Sequence, residues 1–233
     1  LPAYCVLLQP EGTPEGGAPC WSNAYLPAVY QGTLLRRGAN PLLHLKPPAD
    51  ITPSRQRATI DFIKQMNEKD LDPSRTDLAA RIASYELAFR MQARAPEAVD
   101  ISLESAATKT LYGFDQKETA NMAKLCLVSR RLVERGVRFV QIQHGAGGAG
   151  AWDAHGGLKN NHSSNCAKVD QPIAGLIQDL KRRGLLDETL IVFASEFGRT
   201  PGTQGSDGRD HHIYGFSVMM AGGGIKGGTV HGT

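Results

Sequence analysis

The apolar positions of this chain change period along its length, and each period names an element. Tyr4, Cys5, Val6, Leu7 and Leu8 make one short apolar run, enough for a strand. The stretch around it reads as loop, because Pro10, Pro14, Pro19, Pro27, Pro41, Pro47 and Pro48 punctuate residues 1–50. From Thr52 the character changes. Thr52-Pro53 and Asp72-Pro73 each resemble an N-cap followed by proline at the first helical position. Leu78, Ile82, Tyr85 and Phe89 fall at i, i+4, i+7 and i+11, one stripe of an amphipathic helix that Pro96 is expected to stop. Residues 51–100 therefore read as a helical hairpin, an insertion or cap beside the main sheet.

Beyond a linker over 100–116, helix and strand alternate. Met122, Leu125, Leu132 and Val133 share one helix face that ends at Gly136, and residues 137–142 follow as a strand. Val169, Ile173, Leu176, Ile177 and Leu180 make the next face, with helical periodicity starting near Asn165. Lys181, Arg182 and Arg183 fill its last turn, complementing the helix dipole, and Gly184 is placed to cap it. Residues 189–194 are a continuous apolar strand of the kind covered on both faces, and 215–221 suggest another. This alternation predicts an α/β domain with a mainly parallel sheet. Residues 1–50 are then a loop-rich N-terminal part of the same domain, and 117–233 its core.

A chain of 233 residues at 41% hydrophobic content can bury a full core. Its net charge of +3, from 26 basic and 23 acidic residues scattered along the sequence, gives no footprint for nucleic acid. The apolar runs fall far short of the ~20 residues that cross a bilayer, so no membrane span is expected. No signal peptide opens the chain; it starts at Leu1-Pro2 and ends in a Gly-rich run, reading as an excerpt of a longer protein. Cys5, Cys20, Cys126 and Cys166 lack the C-x-x-C spacing of a structural zinc site. Cys126, on an apolar helix face, and Cys166, near a helix start, read as small buried hydrophobes, and a Cys5–Cys20 bridge is open in an oxidising compartment.

The candidate chemistry sits in two loops after strands. The first runs from His144 through a Gly-rich stretch to Trp152, Asp153 and His155; the second holds Ser195, Glu196, Phe197 and Arg199 and continues to Arg209, Asp210, His211 and His212. Carboxylate oxygens and neutral imidazoles are ligands for zinc, manganese and similar ions. In open α/β sheets such sites form beyond the carboxyl ends of strands. Gly145, Gly147 and Gly150 also spell G-x-G-x-x-G, but no helical periodicity follows at once to hold a pyrophosphate. A plain Gly-rich surface loop explains the glycines but not Trp152, Asp153 and His155 grouped after them. Asp153 and His155, two apart, can reach one ion. Glu196, directly after an apolar strand, is either a ligand or the ion-pair partner of Arg199 or Arg209. His144, His162, Arg199, Arg209, Asp210 and His212 are candidates for supporting positions. The glycines around Ile225-Lys226 suit a tight turn better than an anion-binding nest. Ser195 lacks the G-x-S-x-G surroundings of a serine nucleophile.

Several stretches carry a resemblance. They include residues 85–92 (YELAFRMQ), Leu111-Tyr112-Gly113, residues 131–141 (RLVERGVRFVQ), Trp152-Asp153-Ala154-His155, residues 179–190 (DLKRRGLLDETL), residues 196–201 (EFGRTP), Gly208-Arg209-Asp210-His211-His212 and residues 221–228 (AGGGIKGG). In these motifs and their order, the chain resembles the bacterial domain-of-unknown-function family fifteen-oh-one, a sulfatase-like branch of the alkaline phosphatase superfamily. The resemblance implies a three-layer α/β/α sandwich, alkaline-phosphatase-like, with a two-ion site for phosphate or sulfate esters. Divalent ions of the zinc, calcium, manganese or magnesium type are implied as cofactors, and a small-molecule or polysaccharide ester as substrate. Asp153, His155 and His211 look like one ion's ligands. Where an Asp-His pair usually serves the second ion, this chain has Glu196-Phe197; phenylalanine cannot ligate, so that site is altered. Members begin with a strand and a Gly-Gly-Pro-Ser type loop carrying the nucleophile region, and continue past the position of Thr233; neither is matched here. Export is common in the family. The expected function is a metal-dependent ester hydrolase, with a non-catalytic binding or surface protein as the alternative.

Overall fold

The computed structural model describes residues 1–9, 12–36, 41–42, 45, 47–69, 72, 76–145 and 152–232. In chain order its elements are β1 (Tyr4–Leu8), β2 (Thr33–Leu35), α1 (Pro53–Lys69), α2 (Thr76–Val99), α3 (Ala106–Tyr112), α4 (Ala120–Glu134), β3 (Phe139–Gln143), α5 (Leu158–Arg182), β4 (Leu190–Phe193), β5 (Gly198–Arg199), β6 (His211–His212) and β7 (Met219–Gly222). This is an α/β chain with five helices and a three-stranded parallel sheet among the described residues. The expected Pro73 cap and the Gly-rich residues 146–151 lie outside them.

The chain divides into two compact units. The first, residues 1–100 and 131–143, holds the parallel sheet in the order β2-β1-β3. β1 is the central strand, and Cys5, Val6, Leu7 and Leu8 are all buried, as a strand flanked on both edges requires. Val6, Leu8 and Trp21 form a core cluster with Tyr4 and Leu34 against it, and the Tyr4 ring meets Phe139 edge-on at 4.8 Å. Thr52 caps α1 as the sequence predicts: its hydroxyl accepts from Arg55 N–H at 3.3 Å.

Helix α2 does not stop at Pro96; it runs to Val99, with Asp100 N–H donating to the Pro96 carbonyl. Proline removes one donor but leaves its carbonyl able to accept, so one more turn closes. The buried stripe of its second half is Met91, Ala95 and Ala98, while Tyr85 of the expected stripe is exposed. Near the helix end Arg131 donates to the carbonyls of Ala98 and Glu97. All four cysteines are free thiols, so the Cys5–Cys20 bridge is not formed; Cys126 is buried as expected, whereas Cys166 is exposed, and burial pushes the Cys5 thiol up to about 11.

The second unit comprises residues 101–130 and 144–233. The region expected to be linker contains α3, capped by Ser105 accepting from Thr108 N–H and closed by Gly113 in the left-handed region at φ 83°. Seven residues are too few to show an apolar period. α5 begins at Leu158, seven residues before the predicted start, because its first two turns are polar. Asp207 supplies the missing cap, accepting the Gly157 N–H at 2.9 Å. Its apolar face, with Val169, Leu176 and Leu180 buried, and Gly184 at φ 70° after its end match expectation.

Beneath that face lies an ionic core. Asp179 accepts from Tyr112 Oη (3.0 Å), faces Arg130 Nε (3.0 Å) and accepts from Arg183 Nε (2.9 Å); Glu104 faces Arg130 Nη2 at 2.7 Å. Burial, then the Asp179 charge, push the Tyr112 hydroxyl far above its ordinary value.

β4 departs from expectation. The predicted strand was a sheet member covered on both faces; β4 instead pairs antiparallel with β7 alone among the described residues, and Leu190, Val192 and Phe193 are exposed. A continuous apolar run marks a strand but does not choose its neighbours. The strand expected over 215–221 is β7, shifted to Met219–Gly222, and the glycines after it form a turn in which Ile225 N–H donates to Gly222.

Candidate metal centre

The site belongs to the second unit and is built from two loops held together by main chain. Arg209 N–H donates to the Ala154 carbonyl at 3.0 Å, and Thr200 N–H to the Asp210 carbonyl at 2.9 Å. The second bond continues the two-residue ladder in which Arg199 faces His211 and Gly198 faces His212. Ala154 is buried beneath this seam. Gly208 allows the close approach: a Cβ there would lie 2.0 Å from the His155 carbonyl oxygen and 2.2 Å from its carbon. Gly208→Ala is therefore expected to push the loops apart, at a cost of roughly 1–3 kcal/mol. Thermal unfolding reads the cost; an unshifted melt would show that the seam tolerates a methyl group.

The seam brings Asp153, His155 and His211 together, although His211 lies 56 positions beyond His155 in the chain. Their donor atoms all lie within 4.8 Å of one another. Asp153 Oδ1 is the meeting point, 3.0 Å from His155 Nε2 and 3.1 Å from His211 Nε2. For two ligands at ~2.1 Å from a tetrahedral ion the expected separation is about 3.4 Å, so the spacing fits a shared cation. Both nitrogens of His155 face oxygen, since Nδ1 contacts Gln204 Oε1. With Nδ1–H donating to Gln204, the Nε2 lone pair of a neutral ring faces the Asp153 carboxylate, the tautomer that would ligate a cation between them. The His211 ring packs on Phe197 at 4.6 Å and on His155 at 5.0 Å, and the His211 backbone N–H donates to Asp210 Oδ1.

Arg199 supplies positive charge at the same carboxylate. It donates to Asp153 Oδ1 through Nη1 and to Glu196 Oε1 through Nη2, the latter at 3.3 Å. Desolvation pushes the Asp153 carboxyl up, but the hydrogen bonds from Arg199 and His211 and the charges of Arg199 and His155 outweigh it. The group is held below its ordinary value.

The sequence-predicted residues thus sort by position. Asp153, His155 and His211 converge; Glu196, 59% exposed, stands outside that group and pairs with Arg199. His144 and His162 flank Trp152 rather than the triad: Trp152 Nε1–H donates to His144 Nδ1 at 2.7 Å, and the His162 ring meets Trp152 edge-on. That pair fixes the residue next to Asp153. His212 points its ring toward Tyr214, and Arg209 donates to the Gly208 carbonyl. Gln204 and Asp207 were not anticipated. Nothing in the turn-rich 202–208 stretch distinguishes them; their roles come from long-range packing.

The family model described as "Protein of unknown function (DUF1501)" matches residues 1–233, and the chain belongs to that family. Neither a curated protein nor a solved structure matches it. Among the described residues no helix is long and apolar enough to cross a membrane.

Proposed function

We propose that this chain is a divalent-metal-dependent hydrolase of phosphate or sulfate esters, sulfatase-like in type, on a three-layer alkaline-phosphatase-like fold carrying a helical insertion. The observation that carries the reading is the convergence of Asp153 with His155 and His211 at 3.0 and 3.1 Å. Two imidazoles to one carboxylate suit zinc or manganese better than calcium or magnesium, which favour all-oxygen shells. A bound ion there would supply Lewis-acid polarisation of the ester and an activated oxygen nucleophile. The chain's own residues do the positioning. Gln204 orients the His155 ring, Phe197 and Asp210 hold His211, and Arg199 is placed to meet anionic ester oxygens with its planar fork of donors.

The test is turnover of aryl phosphate and aryl sulfate esters by full chain loaded with zinc or manganese. Hydrolysis that disappears on chelation and returns with the ion is expected. Tight metal binding without turnover on either ester class would instead favour a non-catalytic binding protein. Phe197 is the observation on that side, since its ring occupies a position where the family resemblance leads one to expect a second ion's ligand. Absence of metal binding would sink both.

A further inference from the structure

Residues of α5 between Leu158 and Cys166, with Arg199, Thr200 and Arg209 across from them, line an open groove of about 580 Å³. Lys159, His162 and Ser163 face it from the helix, Arg199 and Arg209 from the other wall, and no Asp or Glu is among its lining residues. Arg199 already serves Asp153 and Glu196. Lys159 and Arg209 pair with no carboxylate among the described residues, where Arg209 donates to the carbonyl of Gly208. The buried Nδ1 of His162 likewise finds no partner there. A half-buried guanidinium without a counter-charge is an unfavourable arrangement that a bound anion would relieve.

We propose that this groove is a binding subsite for a tetrahedral oxyanion, sulfate or phosphate, beside the metal centre. An arginine fork, a compact ammonium and the hydroxyl of Ser163 are donors matched to such an ion. The groove shares Arg199 with the Asp153 cluster, so the site as a whole takes a ligand with negative charge beyond the ester undergoing hydrolysis. Only that last step rests on the hydrolase reading.

The experiment titrates inorganic phosphate and inorganic sulfate into the full chain, in chelator at low salt, for wild type, K159Q/R209Q and Arg209→Lys. Binding by wild type, weakened about ten-fold or more in the double variant and partly kept in Arg209→Lys, is expected. A far-UV spectrum and melt matching wild type's show that the double variant is folded. Zinc titration of the same variants reads the Asp153 cluster separately, so either reading can fail alone. A sulfated oligosaccharide that competes with inorganic sulfate, where its unsulfated counterpart does not, assigns the oxyanion to the substrate; competition by neither assigns the groove to the free ion. Absence of binding by wild type, or undiminished binding by K159Q/R209Q, would overturn the proposal.

Discussion

Replacing Asp153 with asparagine is expected to lower the chain's affinity for zinc or manganese by more than about 100-fold. Loss of a contact that merely orients a ligand costs ~10–100-fold, and Asp153 is the carboxylate on which both histidines and Arg199 converge. Asparagine keeps the shape and removes the charge. Competition against a chromophoric chelator measures the change; equal affinity in Asp153→Asn would remove the metal centre from consideration. Asp170→Asn is the matched control, since that exposed carboxylate lies on α5 outside the triad. Acid sharpens the comparison. Because the Asp153 carboxyl is depressed in the folded chain, its contribution to stability is present above the ordinary carboxylate value of 3.8 and is lost as pH falls through the depressed one. Wild type and Asp153→Asn should therefore converge in stability only below the usual carboxylate range.

The second large effect is expected away from the site. Asp179→Ala should destabilise the second unit by ~3–5 kcal/mol, the scale for breaking a buried pair and leaving its partner charged. Arg130, 2% exposed, would keep Glu104 but lose Asp179, and the Tyr112 hydroxyl would lose its acceptor. Against the ~5–15 kcal/mol that separates folded from unfolded domains, this is a large fraction. Arg183→Ala removes a partner of the same carboxylate from a side chain 37% exposed and should cost under ~1 kcal/mol. Urea unfolding of the two variants measures the contrast; similar midpoints would mean that the ionic core is no stronger than a surface pair.

How much of this was legible in the sequence depends on the range of the forces involved. β1, the Thr52 cap of α1, and the run from α4 through Gly136 to β3 rest on local pattern, and the structure keeps them. The convergence of Asp153, His155 and His211 was also anticipated, from loop position and motif rather than from any distance. Elements without their own pattern were missed. α3 is too short for a period, the polar start of α5 is completed by Asp207 from 50 residues away, and β2, β5 and β6 exist through strand partners. The Glu196–Arg199 pair, three residues apart, was one of the two readings of Glu196, whereas the antiparallel partner of β4 could not be read locally, because it depends on which segments pack together.

The seam beneath the site uses backbone for its key bonds: Arg209 N–H to Ala154, Thr200 N–H to Asp210, and Gly208 against His155. Loop shape and ligand identity are therefore separable under mutation. Most substitutions at 153, 155 or 211 would change what the loops bind while leaving their path intact. A lineage carrying this seam could lose, exchange or regain an ion without passing through an unfolded ancestor, and a protein engineer could graft a different donor set onto the same two loops.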